Sequence, residues 1–278
     1  MGISERRNKK MIKMVALDLD NTLLNSNKEI SQRNEHVLKQ LHQEGIKVVL
    51  CTGRPINAIW PYIEQLGLTD SDDYTVTFNG GLVINNESRE HLFELGMKKS
   101  DLLPLFSYVK RKKIPLNVLD FERVYELNDY PGSIYRTVLK NIEFQSLPMS
   151  DVPEKTYSKA VMAITPEKLS TIIGELPADL KAQYHAVQSQ PMIMEFLPKK
   201  LNKAVGLKAL LDHFGDDFSN LMTFGDADND LEMIEAAAQG IVMENGLPNV
   251  KAVATAITDT NDNDGVAKYC ERYFATLL

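Results

Sequence analysis

The chain opens with apolar runs and amphipathic segments in alternation, a pattern that predicts strands and helices in turn. Met11–Leu17, Lys47–Cys51 and Tyr74–Phe78 are short apolar runs of the kind expected for strands buried on both faces. Between them, apolar residues recur at helical spacing after Ser31 and after Pro55, which predicts a helix beginning at each. Strands separated by single helices indicate parallel crossovers in one helix-flanked sheet.

The middle of the chain follows a different pattern. From Leu82 onwards, strand-like runs cluster with only two or three helices and include a hairpin around Asn85-Asn86, which is typical of an α+β module. The strand–helix alternation returns after Leu201, starting with a predicted helix over Ala204–Phe214. One α/β domain is therefore expected to be interrupted by an inserted domain.

These patterns predict an α/β fold: a doubly wound, mostly parallel, Rossmann-like sheet with an inserted α+β cap domain. The core would consist of residues 1–83 and 194–278, and the cap of residues 84–193. Lysine plus arginine and aspartate plus glutamate are balanced within the cap, so the net charge of −7 belongs to the core.

Composition narrows the function classes. With 44% hydrophobic and 25% charged residues in 278, the chain has an ordinary globular composition, and its acidic balance argues against a nucleic-acid partner. No apolar run approaches a membrane span, and Met1–Lys13 is too polar for a secretory signal. Two distant cysteines, Cys51 and Cys270, suggest a reducing compartment. We expect a cytoplasmic monomer or homodimer with no membrane partner.

The candidate chemistry lies where predicted strands end, because ligands of open parallel sheets bind beyond the carboxyl ends of the strands. Taken singly, each polar segment there is more simply a turn or a helix cap. Together they place several carboxylates at one edge of a sheet, where they would repel one another unless a cation or shared protons neutralised them. The segments are Asp18 and Asp20, Thr52-Gly53-Arg54, Asn79-Gly80-Gly81, and Asp226, Asp228, Asn229 and Asp230.

Carboxylate oxygens are hard ligands, so the expected cofactor is Mg²⁺ and not zinc or copper. The five histidines show no metal-ligand spacing, and the chain has no CxxC pair. It also lacks a phosphate-binding P-loop and a GxGxxG motif, which removes the commonest nucleotide-binding classes.

In this order, the segments resemble the motifs of the haloacid dehalogenase superfamily of phosphohydrolases, over nearly the whole chain. The long insertion between the second and third motifs resembles the large cap of the Cof-type subfamily, as do three shorter signatures. The four main motifs are matched by Asp18-Leu19-Asp20-Asn21-Thr22-Leu23, Thr52-Gly53-Arg54, Lys203 and Gly225-Asp226-Ala227-Asp228-Asn229-Asp230. The shorter signatures are Asn79-Gly80-Gly81, Met243-Glu244-Asn245 and Asp264-Gly265-Val266.

The resemblance implies that Asp18 attacks phosphorus and forms an aspartyl-phosphate. Asp20 would protonate the leaving oxygen and then activate the hydrolytic water. The implied roles of Thr52 and Lys203 are to hold the phosphoryl oxygens, where positioning and charge stabilisation supply most of the acceleration. For Mg²⁺ the implied ligands are Asp18, the backbone carbonyl of Asp20, and Asp226, with Asp230 binding directly or orienting the metal's waters.

Substrate contacts are implied for Gly53, Arg54, Asn79 and Asn229, with Arg54 equally well explained as a structural ion pair and Asn229 bonded either to the phosphate or to Lys203. The expected substrate is a small phosphorylated metabolite, with a sugar phosphate the best candidate. FMN, pyridoxal phosphate and phosphomutase chemistry remain alternatives within the enzyme class. A phospho-accepting or metabolite-binding regulatory protein is the alternative of a different class, but Asp20 would be unnecessary there.

Two residues depart from the family pattern. Asn21 and Glu244 each stand where the family usually has glycine. Because asparagine tolerates a positive φ better than most residues, the turn at Asn21 is expected to survive. Glu244 is expected to alter the rim of the pocket.

Overall fold

The computed structural model describes residues 11–139 and 142–278. The chain forms two compact units. Among the described residues, one unit, here called the core unit, contains those up to Glu94 together with Asn202–Leu278, and the other, the inserted unit, contains those of Leu95–Leu201.

The strands of both units are short. In chain order they are β1 (Met14–Leu17), β2 (Lys47–Leu50), β3 (Tyr74–Thr77), β4 (Leu82–Asn85), β5 (His91–Glu94), β6 (Met97–Lys98), β7 (Asn117–Leu119), β8 (Arg123–Leu127), β9 (Glu143–Leu147), β10 (Thr156–Tyr157), β11 (Lys159–Ala163), β12 (Tyr184–Gln190), β13 (Ile193–Pro198), β14 (Leu221–Gly225), β15 (Gln239–Met243) and β16 (Ala256–Thr258).

Apart from β3, β4 and β5, which follow one another without an intervening α-helix, the strands of the core unit alternate with helices. In chain order they are α1 (Gln32–Gln43), α2 (Ile56–Leu66), α3 (Lys99–Lys112), α4 (Tyr135–Val138), α5 (Pro166–Gly174), α6 (Ala178–Gln183), α7 (Lys203–His213), α8 (Leu231–Ala236), α9 (Pro248–Lys251) and α10 (Gly265–Tyr273). No helix of the described residues is long and apolar enough to cross a bilayer.

The central sheet of the core unit is parallel throughout, in the order β16-β15-β14-β1-β2. Its inner strands β1, β14 and β15 are buried on both faces. In β1, Val15 and Leu17 pack into the hydrophobic cluster that includes α1, α2 and α10, whereas Met14 and Ala16 pack into the cluster that includes α7 and α8. The predicted α/β class, with a helix-flanked parallel sheet, is confirmed.

The third predicted strand is an exception. β3 belongs to an antiparallel sheet with β4 and β5 and touches the central sheet through one parallel bridge, between Cys51 and Val76. The β4–β5 hairpin thus extends the same sheet as β3. For this reason the compact core unit continues to Glu94, beyond the predicted boundary at residue 83.

The inserted unit is α+β. Its six-stranded sheet has the order β12-β13-β11-β7-β8-β9, with only the β8–β9 pair parallel, and β6 pairs with β10 in a separate ribbon. α3 and α5 pack on this sheet through Leu105, Val109 and Leu169. β13 pairs with both β11 and β12, so the unit runs to Leu201 and not to the predicted residue 193.

Local signals account for the helix ends. The Ser31 hydroxyl accepts a hydrogen bond from the Asn34 amide, as predicted for the N-cap of α1. After β14 the chain forms a 3₁₀ turn at Asp228–Asp230, and α8 follows this turn directly. Because a carboxylate oxygen of Asp230 accepts hydrogen bonds from two amides of the preceding loop, the chain turns tightly before the helix begins.

Candidate active site

The alternation of β1 determines where the first carboxylate points. Met14 and Ala16 face the side of the sheet that carries α7, and Asp18 and Asp20 continue this parity beyond the end of the strand. Asp18 is 6% exposed and accepts a hydrogen bond from the ammonium of Lys203. Because alternate residues of β1 face the same side of the sheet, Asp18 of the first motif lies beside Lys203, which matches the third motif.

Lys203 is the first residue of α7, and its side chain is fully buried. The side-chain oxygen of Asn202, the N-cap, accepts a hydrogen bond from the Val205 amide and fixes the start of the helix. The Lys203 ammonium also donates to Asp230 over 2.7 Å. One buried cation thus joins two of the predicted carboxylates.

The loop after β14 supplies the other carboxylates. Asp226 and Asp230 are both buried, and the Thr22 hydroxyl donates to Asp226 over 2.9 Å. Oδ2 of Asp230 accepts from the amides of Asp226 and Ala227, at 2.9 and 3.1 Å. Asp230 therefore shapes this loop as well as pairing with the lysine.

Burial and mutual repulsion raise the proton affinity of Asp18 and of Asp226. Desolvation raises the pKa of Asp18 to about 7, opposed by Lys203 and reinforced by Asp230 and Asp226. Desolvation likewise raises the pKa of Asp226 to about 6, opposed by the hydrogen bond from Thr22. The cluster holds more negative charge than its one lysine neutralises.

A divalent cation fits this imbalance. Oxygens of Asp18, Asp226 and Asp230 lie within 4.8 Å of one another, a spacing at which one ion can contact them. Three carboxylates and one ammonium leave two negative charges in a buried place, and hard oxygen donors suit a hard ion. The predicted cation site thus agrees with the spacing of these three carboxylates and with the excess of negative charge around them.

Asp20 lies in a different environment from Asp18. Arg54 donates to it from Nε and Nη2, at 2.8 and 2.5 Å, and Lys28 donates over 2.9 Å. Burial raises the pKa of Asp20, but the hydrogen bonds and charges of Arg54 and Lys28 outweigh burial and hold the pKa below its ordinary value. Of the two first-motif carboxyls, Asp20 is thus the stronger acid.

The predicted phosphate loop forms beside this pair. Thr52 is 1% exposed, and its hydroxyl accepts a hydrogen bond from the Arg54 amide. A Cβ on Gly53 would lie 2.9 Å from the Asn79 side-chain oxygen, so only glycine leaves that amide undisturbed. Asn79 adopts a φ of 55° and accepts a hydrogen bond from Asn229 over 3.3 Å.

The structure therefore brings the predicted residues together in the core unit. Arg54 forms the ion pair with Asp20 that the sequence left as one of two interpretations. Asn21 adopts a φ of 60°, so the turn does survive the replacement of glycine.

Sequence reasoning missed the contacts of Thr22 and Lys28. Thr22 lies inside a matched motif, four residues after Asp18, and its burial was the missing information. No pattern pointed to Lys28, which reaches Asp20 only because the intervening segment folds back, with Leu24 bridged to both Asp20 and Ile30.

Comparison with known proteins agrees with this arrangement. The family model of haloacid dehalogenase-like hydrolases matches residues 15–270, which include every motif residue named above. The chain belongs to this family. The resemblance drawn from the motifs, including the Cof-type insertion, is confirmed.

Individual relatives of this haloacid dehalogenase-like hydrolase match over nearly their full length. YxeH of Bacillus subtilis is 32% identical over 262 residues, covering 92% of this chain and 96% of its own. The 5-amino-6-(5-phospho-D-ribitylamino)uracil phosphatase YitU, also of Bacillus subtilis, is 29% identical over 278 residues, covering 94% and 97%. The crystal structure of a haloacid dehalogenase-like hydrolase from Bacteroides thetaiotaomicron is 31% identical, with a TM-score of 0.79 over 95% of this chain and 100% of its own.

Proposed function

We propose that the protein is a Mg²⁺-dependent phosphatase that hydrolyses phosphate monoesters of small metabolites through an aspartyl-phosphate on Asp18. The observation that carries the proposal is the placement of the Asp18 carboxylate. It contacts the Lys203 ammonium and lies within 4.8 Å of carboxylate oxygens of Asp226 and Asp230. A carboxylate attacks an anionic ester only where positive charge offsets the repulsion, and in this proposal Lys203 together with a cation held by the carboxylates would provide that charge.

In this proposal Asp18, the backbone carbonyl of Asp20, and Asp226 hold the cation, which supplies charge neutralisation and orientation of the phosphate. Asp230 is proposed to support the cation site without binding the cation directly. Both of its oxygens are already in use, one by Lys203 and the other by two backbone amides, so it positions Asp226 and orients water. Of the two roles left open by the motif, this geometry favours the indirect one.

The first chemical step forms a bond between a carboxylate oxygen of Asp18 and phosphorus while the bond from phosphorus to the ester oxygen breaks. Lys203 stabilises the negative charge of the phosphoryl oxygens, and the buried Thr52 hydroxyl helps to hold them. Asp20 gives its proton to the departing oxygen. Because its ion pairs with Arg54 and Lys28 favour the ionised form, at least one of them must loosen for Asp20 to carry that proton.

In the second step a water loses a proton to Asp20 and attacks phosphorus. Free phosphate leaves and the Asp18 carboxylate is restored, so atoms and protons balance over the cycle. Gly53 lies in the phosphate-binding loop, Asn79 lies beside Gly53, and Asn229 is hydrogen-bonded to Asn79; all three are proposed to contact the substrate.

Sugar and polyol phosphates are the proposed substrate class. The support comes from a relative, because the name of YitU describes a phosphatase of an ester carried on a ribityl chain. FMN carries its phosphate on the same kind of chain and, with pyridoxal phosphate, belongs in any substrate panel.

The test measures phosphate release from sugar phosphates, FMN, pyridoxal phosphate and an aryl phosphate, with Mg²⁺ or with EDTA. Asp18→Asn is the decisive variant, and Asp228→Asn is its control, because Asp228 is an exposed acid of the same loop as Asp226. Turnover that needs Mg²⁺, survives Asp228→Asn and is abolished by Asp18→Asn supports the proposal.

Full turnover by Asp18→Asn would refute it. A phosphorylated product without free phosphate would point to a phosphomutase instead. Absence of turnover on every ester, together with phosphate trapped on Asp18, would favour the regulatory class.

A further inference from the structure

The short loop that follows β15 contacts both halves of the proposed cation site. Its Asn245 side-chain amide donates to the backbone carbonyl of Asn21 over 2.8 Å. Two residues later, the Leu247 amide donates to the backbone carbonyl of Asp226, also over 2.8 Å. One loop of three residues therefore links the turn after Asp20 to the loop that carries Asp226.

The middle residue of this loop leaves it little freedom. The Gly246 amide donates to the Met243 carbonyl over 2.8 Å and closes a tight turn. A Cβ on Gly246 would lie 2.7 Å from a Val242 methyl carbon and 3.1 Å from the Asp226 carbonyl oxygen. The loop thus packs directly against the backbone of Asp226, and its position is fixed relative to that residue.

The same asparagine is held from its other side. Its side-chain oxygen accepts the Asn261 amide over 3.0 Å, and the Asn261 side chain donates to the Leu24 carbonyl over 2.9 Å. Both ends of the turn from Asn21 to Leu24 are therefore hydrogen-bonded to the two asparagines. Between those ends lies Thr22, whose hydroxyl donates to the Asp226 carboxylate.

We infer that Asn245 is a positioning residue, which sets the distance between the Asp20–Thr22 turn and Asp226 and so preorganises the cation site. The inference rests on the proposed function, because the ligands that it positions are those proposed for Mg²⁺. The Asn21 carbonyl lies one peptide away from the Asp20 carbonyl, so its hydrogen bond orients the backbone that the cation uses. Asn245 acts through that backbone and touches neither the cation nor the substrate.

The test compares Asn245→Ala with Asn249→Ala. The control removes an amide of the same kind, which donates to the exposed Asp228 carboxylate over 2.7 Å. Mg²⁺ affinity is measured by titration calorimetry on the folded proteins, and thermal midpoints are measured in EDTA. Loss of an outer-shell partner weakens metal binding by about 10–100-fold, and we expect about tenfold for Asn245→Ala and no change for the control.

A second readout separates positioning from a general loss of structure. If the turn after Asp20 shifts, kcat falls more for an alkyl phosphate, which needs a proton on its leaving oxygen, than for 4-nitrophenyl phosphate. A general loss of folded protein would lower both equally. Equal Mg²⁺ affinities for the two variants, or equal losses on the two esters, would overturn the inference.

The outcome is distinguishable from failure of the proposed function. If the unmodified protein neither binds Mg²⁺ nor releases phosphate, the proposed function fails. If the unmodified protein does both and Asn245→Ala behaves like Asn249→Ala, only the inference about Asn245 fails.

Discussion

Lys203→Met tests whether one buried ammonium holds the carboxylate cluster together. Methionine has a similar length but no charge, so the substitution removes the cation and largely keeps the packing. Lys203 is fully buried, and it contacts Asp18 and, over 2.7 Å, Asp230. At an effective dielectric constant of about 20, one ion pair at 2.7 Å contributes about 6 kcal/mol of attraction.

Desolvation of the buried charges offsets part of that attraction, so the measured cost of removing one partner is smaller. Breaking a buried ion pair typically costs about 3–5 kcal/mol, because the remaining charge is left uncompensated. We expect a loss of that size in the free energy of unfolding, together with loss of phosphatase turnover.

The loss should depend on pH. Burial raises the pKa of Asp18 to about 7 from its ordinary value of 3.8, so this group lowers stability as the pH rises from 3.8 to about 7 and has no further effect above that. Lys203 lowers the pKa of Asp18, so without it the Asp18 carboxyl is harder still to ionise and the loss of stability continues to a higher pH than in the unmodified protein. The stability deficit of Lys203→Met should therefore shrink below the pKa of Asp18 and grow above it.

Urea denaturation in EDTA, on both sides of that pKa, measures the effect. Lys208→Met is the matched control, because Lys208 lies on the same helix, is 50% exposed and pairs with Asp212. Exposed pairs contribute less than about 1 kcal/mol. Equal losses in the free energy of unfolding for the two variants, or a loss for Lys203→Met that does not change with pH, would refute the reasoning.

Three further predictions concern packing, titration and thiol chemistry. Gly80→Ala should lower the free energy of unfolding by at least about 2 kcal/mol more than Gly45→Ala, as measured by urea denaturation. Both glycines have a positive φ, but of the two only Gly80 would place its Cβ against a backbone carbonyl oxygen, at 2.1 Å. Similar costs for the two variants would contradict this. Hydrogen bonds and the charge of Lys155 outweigh the burial of Asp120 and hold its pKa below the ordinary value. Asp120→Asn should therefore lower the free energy of unfolding by about 1–2 kcal/mol at neutral pH, and this deficit should fade in acid as Asp120 of the unmodified protein is protonated. A deficit that persists in acid would argue against the pairing of Asp120 with Lys155. Both Cys51 and Cys270 are fully buried, and burial raises the pKa of each thiol. A chromogenic thiol reagent, followed by absorbance, should therefore modify neither cysteine until urea is added. Rapid labelling of the native protein would disprove their burial.

Much of the fold could be predicted because local patterns and tertiary packing agree. β1 is apolar at every position and is buried on both faces, and Ser31 caps α1 as its side chain predicts. The antiparallel pairing of β3 could not be predicted, because a short apolar run carries no information about its partner strand.

The same distinction between local pattern and tertiary packing applies to the candidate site. The ordered motifs determined the family and the residue types that meet at the strand ends, because residue types and their spacing along the chain are properties of the sequence itself. The pairing of Lys203 with both Asp18 and Asp230 joins residues more than 180 positions apart in one case and 27 in the other.

Contacts that depend on folded-back segments were decided only by tertiary structure. Lys28 meets Asp20, and Asn245 meets Asn21, through backbone turns that no spacing rule encodes. Burial likewise separates the two first-motif carboxyls, raising the pKa of Asp18 while ion pairs lower that of Asp20. The sequence determined which groups are present, whereas their charge states and partners were decided by which atoms the fold removes from water.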